Sequence, residues 1–133
     1  MRRLGCSVKI FSIFLVFTSL HAGEHKAIIP AGMDLGLPFS PGIDAGGIVF
    51  VSGTIGNQPG TKVVQGGIGE QTRQVFRNIE TVLKEAGLEL TDIVSTNVYL
   101  ADARHYQEMN EAYSQLFKIK PPVRTTVEAG MVI

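Results

Sequence analysis

Apolar and polar positions along the chain repeat with two periods. Val75, Phe76, Ile79, Val82 and Leu83 recur at i, i+1, i+4, i+7 and i+8, the spacing of one face of an α-helix, and Gly87 marks its stop. Tyr106, Met109, Tyr113, Leu116 and Phe117 predict a second helix, with Asp102 suited to cap it and Pro121-Pro122 to end it. Residues 92–101 alternate instead. Ile93, Ser95, Asn97 and Tyr99 share one face, whereas Val94, Thr96, Val98 and Leu100 form an apolar stripe on the other. Residues 48–53 are β-branched and aromatic enough for a buried strand, and the turn-like residues 43–48 before them suggest a hairpin. A short opening strand over 26–29 and a last strand over 123–129 complete the pattern, with glycine- and proline-rich loops up to Pro41 and over 57–67. The order β-β-β-α-β-α-β predicts an α+β domain, its strands in one sheet and both helices on one face. The other face then needs cover, so association between copies is expected.

The first 22 residues have another character. Arg2, Arg3 and Lys9 precede an apolar run over 10–20. Crossing a bilayer takes about 20 apolar residues, so this run suits a signal peptide, with cleavage expected after Ala22; an uncleaved anchor is the alternative. Residues 23–133 then form the folded domain, in the periplasm or outside the cell, with no stable membrane association after cleavage. Cleavage removes three positive charges and leaves a net charge of −3 on a cysteine-free chain, because the whole chain balances 12 basic against 12 acidic residues and its one cysteine is Cys6. That balance, with no basic cluster beyond the head, argues against a nucleic-acid partner. At 133 residues there is room for one domain.

Arg124 is the most informative chemical residue. It sits within an apolar strand, where a charge must be paired or face a cleft, and alternation puts Thr126 and Glu128 on its face. A guanidinium so fixed suits a carboxylate ligand; an internal ion pair with Glu128 is the structural alternative. Ser52-Gly53, at a strand end, offers a hydroxyl beside a backbone amide, or is an ordinary turn. Asn110 is a mediocre helix former that is either solvated or aimed at a partner. His21, His25 and His105 lie in no metal-ligand spacing, so no metal is predicted, and the Gly66-Gly67-Ile68-Gly69 run lacks the context of a phosphate loop.

Four blocks together resemble the Rid family (YjgF/YER057c/UK114), in its RidA branch. They are Phe50-Val51-Ser52-Gly53-Thr54-Ile55-Gly56; Gln71-Thr72-Arg73-Gln74-Val75 with Asn78; Val98-Tyr99-Leu100-Ala101-Asp102 with Asn110-Glu111-Ala112-Tyr113; and Pro122-Val123-Arg124-Thr125-Thr126-Val127-Glu128. The resemblance implies a chorismate-mutase-like α+β fold and a homotrimer with clefts between subunits. It further implies cofactor-free hydrolysis of enamines and imines, such as 2-aminoacrylate, to a 2-keto acid and ammonia. Arg124 would bind the substrate carboxylate. Backbone groups near Ser52, Gly53 and Thr126 would hold the imine end and the water, and Asn110 would shape the cleft. Phe39 stands where many members carry tyrosine. Members also continue past the arginine strand into a final strand bearing a glutamate thought to orient the water. That position lies past Ile133, so the sequence is expected to be a piece of a longer reading frame, with weak stability and impaired hydrolysis if it is not. A non-catalytic carboxylate-binding or holdase-like protein is the alternative, and a chorismate-mutase-type enzyme a more distant one, since only Arg124 supplies an obvious cation.

Overall fold

An antiparallel meander opens the fold in the computed structural model, which describes residues 25–33, 36–58 and 66–130. The expected signal peptide and residues 131–133 lie outside the described residues. Strand β1 (Lys26–Ile28) pairs with β2 (Gly42–Asp44), and β2 with β3 (Val49–Val51). The β2–β3 hairpin turns where it does because Asp44 Oδ1 accepts the amides of Gly46 and Gly47 at 2.9 and 3.3 Å. Both glycines have positive φ, 79° and 108°, which other residues rarely adopt.

Helix α1 (Ile68–Glu85) follows, and the chain leaves it through Gly87 at φ 73°. Strand β4 (Ser95–Leu100) is shorter than the alternation over 92–101 predicts. Asp92 accepts the Glu89 amide at 2.8 Å while donating its own to the Glu89 carbonyl at 3.1 Å, which draws residues 90–92 into a 3-10 turn. Val94 therefore leaves the apolar stripe and is 80% exposed. Asp102 accepts from the Arg104 amide and caps a second 3-10 turn, Ala103–His105, instead of the α-helix itself. Helix α2 (Tyr106–Leu116) continues from that turn. Strand β5 (Val123–Glu128) then runs parallel to β4, with Thr96 opposite Arg124 and Val98 opposite Thr126.

The α+β class and both helices are as expected; the single sheet is not. Among the described residues the strands form two sheets, β1-β2-β3 and β4-β5, and only β2 is paired on both sides. Among the described residues no backbone ladder joins the two sheets. The helices pack on each other and, on the sheet side, against Leu100, with Val98 and Ile93 at the margin. Phe76 stands edge-on to Tyr113 and Phe117, at ring distances of 5.4 and 5.1 Å, so aromatic rings fill the seam between α1 and α2. The opposite face of β4–β5 carries Tyr99, Val123 and Val127, 61%, 71% and 43% exposed.

Candidate functional site

Strand β5 and helix α2 build the charged part of the site. Alternation turns Arg124 toward the helix layer, where α2 presents Tyr106, Met109, Asn110 and Tyr113 one turn apart. Asn110 Oδ1 accepts from Arg124 Nη2 at 2.6 Å, with the Tyr106 hydroxyl at 3.5 Å from the same nitrogen. Nη1 approaches Met109 Sδ at 3.8 Å. The guanidinium carbon lies 4.6 Å from the Tyr113 ring centroid and 5.8 Å from that of Tyr106, a cation on two aromatic faces. The Tyr113 hydroxyl is itself pinned to Thr96 Oγ1 at 2.9 Å, which fixes the platform beneath the arginine.

The ion-pair alternative fails. Glu128 Oε2 accepts the Ala103 amide at 3.0 Å, and among the described residues no carboxylate lies within ion-pair distance of Arg124. A guanidinium has five N–H donors, so this geometry leaves the Nε hydrogen and one on Nη1 for a ligand. Hydrogen bonding by Asn110, then bonding and charge from Arg124, hold the Tyr106 hydroxyl below the usual phenol range. Thr126, two residues along the same face, has a buried Oγ1 with no hydrogen-bond partner among the described residues.

A second group of predicted residues lies elsewhere. Phe39, Ser52 and Gly53 line a hollow of about 740 Å³ between the loop after β1, the end of β3 and helix α1; Arg124, Asn110 and Thr126 do not line it. The single chain thus divides the six expected site residues into two halves. The Ser52 amide bonds to the Pro41 carbonyl at 2.9 Å, tying the strand end to the Phe39 loop. Beyond it, Asn78 of α1 donates to Thr54 Oγ1, the Ile55 carbonyl and the Asn57 carbonyl at 3.3, 3.2 and 2.7 Å. Gln74 Nε2 bonds Asn78 Oδ1 at 2.8 Å, and Arg77 Nε bonds Gln74 Oε1 at 3.0 Å, so a chain of polar side chains orients the amide that holds the loop. Gly56 permits the approach: a Cβ there would lie 2.8 Å from the Cα of Gln71.

Sequence reasoning missed the roles of Tyr106, Met109 and Tyr113, which it placed in the helix core, and of Asn78. Their signal was available. An arginine in a strand next to a helix with aromatic residues at i and i+7 and an amide at i+4 is a cation cradle.

Comparison with known proteins places the chain in a family. The profile of the family described as Endoribonuclease L-PSP matches residues 33–133. The chain belongs to that family. A RutC family protein of Saccharolobus solfataricus is 48% identical over 94 residues, 70% of this chain and 75% of the relative. Among solved structures, the YjgF gene product of E. coli superposes with a TM-score of 0.68 at 31% identity, over 78% of this chain and 85% of that one. E. coli TdcF with bound serine matches with a TM-score of 0.65 at 30% identity, over 69% and 75%. The L-PSP family and its YjgF relatives thus bear out both the resemblance carried by the four blocks and the α+β fold. The family match spans every described site residue, Phe39 and Ser52 in one half and Asn110 and Arg124 in the other.

Proposed function

We propose that this L-PSP family member hydrolyses reactive 2-imino acids and their enamine tautomers to 2-keto acids and ammonia, with Arg124 holding the substrate carboxylate. The observation that carries the reading is the Arg124 guanidinium: cradled by Asn110, Met109 and two tyrosines, unneutralised by any described carboxylate, and with donors to spare. Water adds to C2 of the imine, the C–N bond breaks and ammonia leaves, so one water is consumed per keto acid formed. A protonated imine is already electrophilic. Anchoring its carboxylate and presenting one water therefore lowers the barrier largely through positioning. The serine bound to TdcF, a small α-amino carboxylate, supports a ligand of this class.

In this proposal the two half-sites meet between subunits of a homotrimer: Arg124, Asn110 and Thr126 of one copy face Phe39, Ser52 and Gly53 of the next. The protein would act outside the cytosol after cleavage at Ala22, which N-terminal sequencing of the exported chain checks. The activity is tested by generating 2-aminoacrylate in the presence of the purified protein. Accelerated decay with release of pyruvate and ammonia is expected, and an unchanged decay rate overturns the reading.

A binding role without turnover has its own support, because none of the described neighbours of Arg124 is a carboxylate able to draw a proton from water. Stabilisation by 2-ketobutyrate with no imine hydrolysis would select it. Ribonuclease action, suggested by the family's description, suits this chain less. RNA binding rests on dense cationic contacts to phosphate, and 12 basic residues here are balanced by 12 acidic ones.

A further inference from the structure

The hollow beside Phe39, Ser52 and Gly53 is larger and more apolar than a three-carbon substrate needs. Its volume of about 740 Å³ falls in the range that encloses drug-sized ligands, about 300–1,000 Å³. Met33, Leu37, Phe39, Ile55, Ile79 and Val82 supply its walls, and no Lys, Arg, Asp or Glu lines it among the described residues. Its most prominent polar side chain, Asn78, is already committed to Thr54, Ile55, Asn57 and Gln74. Phe39 and Leu37 are 58% and 50% exposed, so apolar surface at the mouth waits to be covered. The phenyl ring at position 39 has no hydroxyl to favour a polar side chain.

We propose that this hollow receives the side chain of a 2-imino acid bearing a bulky apolar group, of the leucine or phenylalanine type, in preference to the alanine type. The inference rests on the hydrolase reading of the same site and names its substrate class. Carboxylate and imine stay at the Arg124 and Ser52-Gly53 ends, while the side chain covers Leu37 and Phe39 and displaces water from apolar walls. Each added methylene in such a pocket shifts discrimination by roughly tenfold or more, so the preference should be plain in binding alone.

The test uses the full chain and two keto acids, pyruvate and 4-methyl-2-oxopentanoate, titrated by calorimetry. The branched acid is expected to bind at least tenfold more tightly. Equal affinity, tighter binding of pyruvate, or no binding of either overturns the proposal. Met33→Trp, which fills the hollow, should cut the ratio of the two affinities by about tenfold; Phe39→Tyr, at an exposed position where misfolding is not a concern, should cut it less. A ratio unmoved in both variants, with unchanged circular dichroism, means the ligand sits elsewhere and also overturns the proposal. A parallel assay with imines made from leucine and alanine by an amino-acid oxidase separates the two readings. A branched-acid binding preference without turnover of either imine refutes the hydrolase while upholding the apolar hollow.

Discussion

The neighbours of Arg124 hold its guanidinium without neutralising it, which suits it to the carboxylate proposed above. Hydrogen bonds to charged groups contribute about 1.5–3 kcal/mol each, and 1.4 kcal/mol is tenfold in affinity. Arg124→Ala should therefore weaken 2-ketobutyrate binding by about 10- to 100-fold or more in a calorimetric titration, while sedimentation shows the assembly state unchanged. Tyr106 offers a spectroscopic check. Asn110 and Arg124 lower its hydroxyl pKa, so the folded state favours phenolate relative to an ordinary value near 10. The resulting stabilisation is present above that ordinary pKa and is lost as pH falls through the folded one. In an ultraviolet titration, Tyr106→Phe should remove a phenol that titrates below the ordinary value, and Arg124→Ala should move that phenol upward. Arg124 was legible in the sequence because a charge in an apolar strand is costly to bury. Its partners were not: a residue at helical spacing reads as core, and only the register of β5 over α2 turns Tyr106 and Asn110 toward the guanidinium.

Helix α1 both packs the core and holds the Ser52-Gly53 loop. Asn78→Ala would remove the three hydrogen bonds that hold the loop and the acceptor of Gln74 Nε2, at about 0.5–1.5 kcal/mol net for each bond lost. Urea unfolding should register a loss of at least about 2 kcal/mol, and any hydrolase activity should show a raised KM as the loop loosens. Phe76→Ala removes the ring that touches both Tyr113 and Phe117 and should cost about 3–5 kcal/mol. Both helices could be read from their 3.6-residue period, since burial against a sheet imposes it directly. The ends of β4 and α2 were less legible. Asp92 and Asp102 bond to amides within three residues, and such local competition for hydrogen bonds is invisible to periodicity.

At the scale of the whole molecule, the bare face of β4–β5 sets the expectation of association between copies, for which the Rid resemblance implies a trimer. Tyr99 and Val127 lie opposite each other in register and Val123 opposite Ser95, all on the side away from the helices. A charge there should resist burial, so Val123→Asp is expected to shift sedimentation toward the monomer while the helical circular dichroism persists. The sequence pattern foretold the uncovered face and the layer of helices but not the division into two sheets, because alternation says which way side chains point and nothing about which strand lies alongside. That division carries a practical consequence. Among the described residues, every strand except β2 has a strand partner along one flank only, and the other flank is a template on which another extended chain can grow. Concentrated stocks of this chain should thicken into thioflavin-positive filaments on storage, and a lysine set into the free margin of β3 or β4 should delay their onset.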